Sequence, residues 1–305
     1  MIEIKKILCP VDFSDFSRRA LDHAVAVARW YTSKVVALHV VSRGSDVTTL
    51  APYAGPIVPE PIGLTAAERD SLNADLAAFV AAEAAEGVGI ELAVTQGTVV
   101  GEILREAKAR SADLLVMGSH GRTGFERLML GSVTEKVLRK VTCPVLTVPR
   151  HVPDAVPAGP GLFKRILCPM DFSESSYRAL QYAMSLAQEA DARLVVLHVL
   201  EVPERPGREA EVFDFSEYRR IFEESARERL REAVPDTVRS YCEVTDTITT
   251  GRSYREILRV AGEEKAELIV MGVQGRGAAD LMLFGSTTQH VLRQATCPVL
   301  TLRAG

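Results

Sequence analysis

The chain has 305 residues, 47% of them apolar and 25% charged, which is about two ordinary domains at roughly 150 residues each and excludes disorder as the main state. Its 36 Lys and Arg against 40 Asp and Glu leave a net charge of −4, so the basic footprint of a nucleic-acid binder is missing. No apolar run is long enough for a bilayer, the start MIEIKKILCPVDFS has no leader pattern, and the five cysteines form neither a CxxC nor a Cys/His cluster; the expectation is a cytoplasmic protein without membrane contact, disulfide scaffold or zinc site.

In chain order, an apolar run at 4–9 breaks at Cys9-Pro10-Val11-Asp12-Phe13-Ser14 into a helical pattern over 15–31, with Leu21, Val25 and Ala28 at helical spacing. Short runs rich in β-branched residues at 34–41, 90–95, 113–117 and 144–148 read as strands buried on both faces. Helical patterns at 65–86, 99–110 and 132–141 alternate with them. This βαβαβαβαβ order predicts a doubly wound α/β fold with a five-stranded parallel sheet, and its ligand crevice lies beyond the carboxyl ends of the strands. The pattern then restarts. KKILCPVDFSDFSRRAL returns as KRILCPMDFSESSYRAL, an offset of 159 between Lys5 and Lys164 that becomes 154 between Gly97 and Gly251. We expect two tandem domains, 1–150 and 163–305, joined by the Pro/Gly-rich linker 151–162.

Two kinds of motif sit at predicted strand ends. Asp12, repeated as Asp171, follows a buried strand and could accept hydrogen bonds from a ribose or an adenine edge; taken alone, helix capping by Asp12 or Ser14 is the commoner reading. Met117-Gly118-Ser119-His120-Gly121 is followed after nine residues by Gly131-Ser132-Val133, and Met271-Gly272-Val273-Gln274-Gly275 by Gly285-Ser286-Thr287 at the same spacing. Glycines of positive φ, or glycines against which a ligand can approach closely, let backbone N–H groups reach phosphate oxygens, and the serine begins a helix. The bland alternative is a glycine turn with capping boxes at Ser132-x-x-Glu135 and Ser286-x-x-Gln289. Two glycine groups bracketing nine residues, opposite an Asp, favour a polyphosphate.

The P-x-D-F-S start, the L-H-V ending the second strand, and the unbroken M-G-x2-G-x9-G-S element of each copy resemble universal stress protein domains of the ATP-binding branch. The resemblance implies an adenine nucleotide alpha hydrolase-like fold. It also implies that the Asp holds ribose, that backbone near P-x-D and L-H-V frames adenine, and that the glycines and serine hold the phosphates. By matched position these are Pro10, Val11, Asp12, Val40, Met117, Gly118, Gly121, Gly131, Ser132 and Val133, then Pro169, Met170, Asp171, Val199, Met271, Gly272, Gly275, Gly285, Ser286 and Thr287. Arg122 and Arg276 are further phosphate candidates. The implied cofactor is ATP, with Mg2+ held mainly by its phosphates. The resemblance further implies that the last strands, 144–148 and 298–302, pair antiparallel as a pseudo-twofold domain pair. Homodimerisation and an unidentified protein partner stay open.

His39 and His198 lack a second ligand at metal spacing and are read as hydrogen-bonded structural residues. The cysteines read as small buried hydrophobes. The stretch 42–63, with Tyr53, is long and apolar enough for a lid or partner surface, and its counterpart 201–211 is shorter and charged. The leading functional reading is an ATP-binding stress-response regulator. A slow ATPase or phosphotransferase and a nucleotide-free assembly module are the rivals; G-x4-G-K-[ST] is absent, and no G-x-G-x-x-G follows the first strand.

Overall fold

The computed structural model describes residues 2–42, 63–84, 87–121, 130–150, 152, 161–201, 215–274 and 284–303. The first half runs β1 (Lys6–Pro10), α1 (Asp15–Tyr31), β2 (Lys34–Val41), α2 (Ala66–Ala84), β3 (Ile90–Gln96), α3 (Val99–Ala109), β4 (Leu114–Gly118), α4 (Ser132–Leu138) and β5 (Val145–Val148). The second runs β6 (Arg165–Pro169), α5 (Glu174–Ala190), β7 (Arg193–Leu200), α6 (Phe215–Ala233), α7 (Asp236–Tyr241), β8 (Val244–Thr250), α8 (Ser253–Glu263), β9 (Leu268–Gly272), α9 (Ser286–Gln294) and β10 (Val299–Leu302). Among the described residues the short α7 has no counterpart in the first half.

The ten strands among the described residues form one sheet of order β3-β2-β1-β4-β5-β10-β9-β6-β7-β8. Among the described residues every pairing within a half is parallel, and one antiparallel pairing joins β5 to β10. Leu146 lies opposite Leu300, with Thr147 opposite Val299 and Val145 opposite Thr301, so an approximate twofold passes through the leucine pair. Thr301 Oγ1 donates to Val145 O at 3.2 Å across this seam, and Ile2 N donates to Ser185 Oγ at 3.0 Å beside it.

The inner strands are apolar at successive positions because both faces are covered, whereas the edge strands β3 and β8 carry polar residues and are mostly half-buried, so 90–95 is not buried on both faces throughout. On one face Ile7, Cys9, Val35, Leu146 and Leu300 pack under α1 and α5; on the other Leu8, Val36, Leu38, Val145 and Val299 pack under α3, α4, α8 and α9. Both cores run through the seam without interruption.

One buried group makes this packing sensitive to acid. His23 of α1 is 5% exposed and its Nδ1–H donates to Arg19 O at 2.8 Å. Burial pushes its pKa below the ordinary histidine value, partly opposed by that hydrogen bond. The unfolded chain therefore takes up a proton near pH 6.5 that the folded chain refuses, and stability falls as pH drops below about 6.5, by at most about 1.4 kcal/mol per pH unit for this group. Urea midpoints of the native chain and His23→Leu at pH 7.5 and 5.5 check this: the variant is expected to lose less stability between the two.

Candidate functional site

In each half the chain leaves β1 or β6 for one side of the sheet and β4 or β9 for the other, so a crevice opens beyond the carboxyl ends of these neighbouring strands. The turn after β1 is tightly determined. Ser14 caps α1 by accepting from Ser17 N at 3.3 Å, while its own N–H and Oγ–H donate to Asp12 Oδ1 at 3.1 and 2.5 Å. Capping thus belongs to Ser14, and Asp12 braces the turn. Ser173 and Asp171 repeat this at 3.0 and 2.6 Å.

Between each Asp and Ser lies a phenylalanine in the left-handed region, Phe13 at φ 63° and Phe172 at φ 62°, a costly conformation for a bulky residue. His39 holds the first: its ring lies 4.6 Å from that of Phe13 and its Nδ1–H donates to Val11 O at 2.8 Å. His198 does the same, 4.7 Å from Phe172 and 2.6 Å from Met170 O. The carbonyl accepts only, so Nδ1 carries the proton in both rings. These histidines fix the turn that aims the carboxylate.

The opposite wall comes from the glycine element. Ser119 N donates to Val148 O at 2.9 Å, Gly131 N to Ser119 O at 2.8 Å and Thr134 Oγ1 to Gly118 O at 2.9 Å, which pins both ends of the excursion between the two glycine groups. Val273, Gly285 and Thr288 make the equivalent bonds at 2.8, 3.0 and 2.9 Å. Gly118, Gly131 and Gly285 do not have positive φ; their need for glycine is one of space. A Cβ at Gly118 would lie 3.0 Å from His120 O and 3.1 Å from Phe16 O, and one at Gly272 would lie 2.9 Å from Ser175 C and also meet Ser175 Oγ. At Gly121 a Cβ would lie 2.9 Å from Asp12 Oδ2, which places the two walls in contact.

The capping boxes do not form. Gly131 and Gly285 are the N-caps, without a side-chain cap bond, and Ser132 and Ser286 are the exposed first residues of α4 and α9. Glu135 pairs instead with Arg139 at 2.7 Å.

The resulting clefts have volumes of about 270 Å³ in the first half and 440 Å³ in the second, within or near the range of small-molecule sites. Pro10, Val11, Asp12, Val40, Met117, Gly118, Gly121, Gly131, Ser132 and Val133 all line the first. Pro169, Met170, Asp171, Val199, Met271, Gly272, Gly285, Ser286 and Thr287 all line the second. Arg122, Gly275 and Arg276 lie outside the described residues, as do 43–62, 153–160 and 202–214.

Sequence reasoning missed the floor and one flank. Leu38 and Leu197 floor the clefts, and Val99 and Ile103 of α3, with Ser253 and Ile257 of α8, close one side. The spacing of four that aligns each flank pair on one helix face was the available signal. His120 lines the first cleft where Gln274 lines the second, and Phe284 adds an aromatic wall to the second.

Burial pushes the thiol of Cys143 up to about 11 and that of Cys297 up to about 12, with Cys168 and Cys242 also raised. Thiolate is scarce at such values. Alkylation by iodoacetamide at pH 8, followed by mass spectrometry, is expected to leave these four cysteines largely unmodified in the native chain and to label them in urea.

Among the described residues no His/Cys/Asp/Glu group could hold a metal, and no helix is long and apolar enough to cross a membrane. The chain matches the Universal stress protein family over residues 3–149 and again over 162–303. A universal stress protein of Methanocaldococcus jannaschii is 35% identical over 153 residues, covering 47% of this chain and 81% of that protein. One of Mycobacterium tuberculosis is 32% identical over 201 residues, covering 64% of this chain and 63% of its own length, so the match spans just under two thirds of that relative. The crystal structure of a universal stress protein from Archaeoglobus fulgidus covers 99% of this chain and 97% of its own at 26% identity, with a TM-score of 0.65. With both halves matched and one fold shared over nearly the whole chain, this protein belongs to the universal stress protein family as a tandem of two such domains.

Proposed function

We propose that each half binds one adenine nucleotide, ATP in the first instance, and that the protein acts in the cytoplasm as a nucleotide-responsive regulator. The observation that carries this is the convergence, twice in one chain, of a braced carboxylate and a crowded glycine backbone on a cleft with an apolar floor. Each part suits one part of the ligand. Asp12 and Asp171 offer carboxylate oxygens to ribose hydroxyls, Val11, Val40, Met170 and Val199 offer apolar walls and backbone to a purine, and the glycines leave room for phosphates against the main chain.

Regulation rather than turnover is favoured by what lines the clefts. Among the described residues no lysine does so, and each cleft has a single carboxylate, already engaged by the serine that follows it. A base together with a metal-holding carboxylate, the equipment of phosphoryl transfer, is not assembled there. Mg2+ would accordingly be held mainly by the phosphates.

The test is calorimetric titration of the purified full chain with ATP and Mg2+, alongside release of bound nucleotide by denaturation. Two ATP per chain is the expected stoichiometry, with hydrolysis well below about 1 s⁻¹. Absence of both heat and released nucleotide would remove the reading, and rapid turnover lost on a single acidic substitution would replace it with an enzyme.

A further inference from the structure

The antiparallel seam sends the carboxyl ends of the two halves' strands to opposite edges of the sheet. Helix α4 starts at the first cleft, where Ser132 and Val133 line the wall, and returns toward the start of β5. That end lies beside the second half. Arg303, directly after β10, donates from its guanidinium to Leu138 O at 3.0 Å and also to Arg139 O, the two carbonyls at the C-terminus of α4. Arg139 in turn places its guanidinium 5.9 Å from the ring centroid of Phe284, which lines the second cleft.

Arg303 is also held from behind. Its carbonyl accepts from Arg178 Nη1 at 2.9 Å, and Arg178 belongs to α5, the helix capped by the Ser173 that bonds to Asp171. A continuous chain of bonded and packed groups therefore runs from the Asp171 turn through α5 and Arg303 to α4 and the first cleft, with Arg139 closing it onto Phe284. The link is repeated only in part: Arg19 of α1 donates to Arg150 O, as Arg178 of α5 does to Arg303 O. With the offset of 154, Pro149 stands where Arg303 would be and Leu130 where Phe284 would be, so among the described residues these matched positions supply neither a guanidinium to α9 nor a ring at the first cleft.

We propose that α4 is a strut between the clefts, with Arg303 and Arg139 as positioning residues, so that occupancy of one cleft changes the affinity of the other. This rests on the reading of both clefts as nucleotide sites. Contact alone shows a route, and coupling has to be measured as a ratio of affinities. ATP titrations of the full chain are compared with those of Asp12→Asn and Asp171→Asn, each of which leaves one cleft intact. We expect the stepwise constants of the native chain to differ from the single-cleft constants by about fivefold or more. That ratio should fall to within about twofold when Arg303→Ala or Arg139→Ala is introduced, while Arg303→Lys, which keeps a donor for the α4 carbonyls, retains part of it. Circular dichroism and melting of each variant establish that it is folded. Binding at two independent clefts in the native chain, or coupling unchanged in both alanine variants, overturns the strut and leaves the nucleotide reading standing. No binding to the native chain overturns both.

Discussion

Replacing Leu300 with aspartate is expected to cost at least about 3 kcal/mol, the penalty of an unpaired buried charge added to lost apolar contact. Leu300 is 6% exposed, faces Leu146, itself 2% exposed, and belongs to the core cluster that spans both halves. A carboxylate there has no cation opposite it, only the leucine on the pseudo-twofold. The halves are consequently expected to lose joint cooperativity, with one calorimetric transition splitting or broadening, whereas Leu300→Val should cost only about 0.5–1.5 kcal/mol. A chain that melts as sharply and as late with the aspartate as without it would show that the halves do not depend on this contact.

The second large effect is expected at the carboxylates. Asparagine at position 12 or 171 keeps an oxygen to accept from the N–H and Oγ–H of Ser14 or Ser173, so the left-handed Phe13 or Phe172 turn survives. What changes is the charge and the acceptor offered to the cleft. Loss of a charge-assisted hydrogen bond is worth about 1.5–3 kcal/mol, which corresponds to roughly tenfold or more in affinity per cleft. Calorimetry of Asp12→Asn, Asp171→Asn and the double variant should show one, one and no tight site. This choice separates ligand contact from folding better than Gly272→Ala, which would crowd Ser175 and damage the turn itself.

Much of this architecture was legible in the sequence because the chain is written twice. Strand runs such as 34–41 were readable from apolar stretches rich in β-branched residues, which burial on both faces favours, and the glycine spacing marked where the second wall would stand. The reason for the glycines was less legible. Spacing cannot say whether a glycine serves backbone sign or space, and at Gly118 and Gly131 the neighbouring main chain decides for space. Pattern also left a capping box open as the alternative: Ser132-x-x-Glu135 fits it, yet Gly131 is the N-cap and Ser132 the first helical residue, so the serine hydroxyl lies outside the cap. Contacts across the seam, such as Arg303 with α4, depend on a tertiary register that no local pattern encodes.

The pairing of Pro149 with Arg303 at equivalent positions has an evolutionary meaning. In a dimer of identical single-domain chains every substitution appears on both sides of the axis, so an arginine gained on one side is gained on the other, and a contact can be neither added nor removed singly. Joining the two copies in one polypeptide lifts that constraint. Each copy can drift separately while the central strands stay matched, and Arg303 is the kind of innovation that only a fused pair can keep on one side.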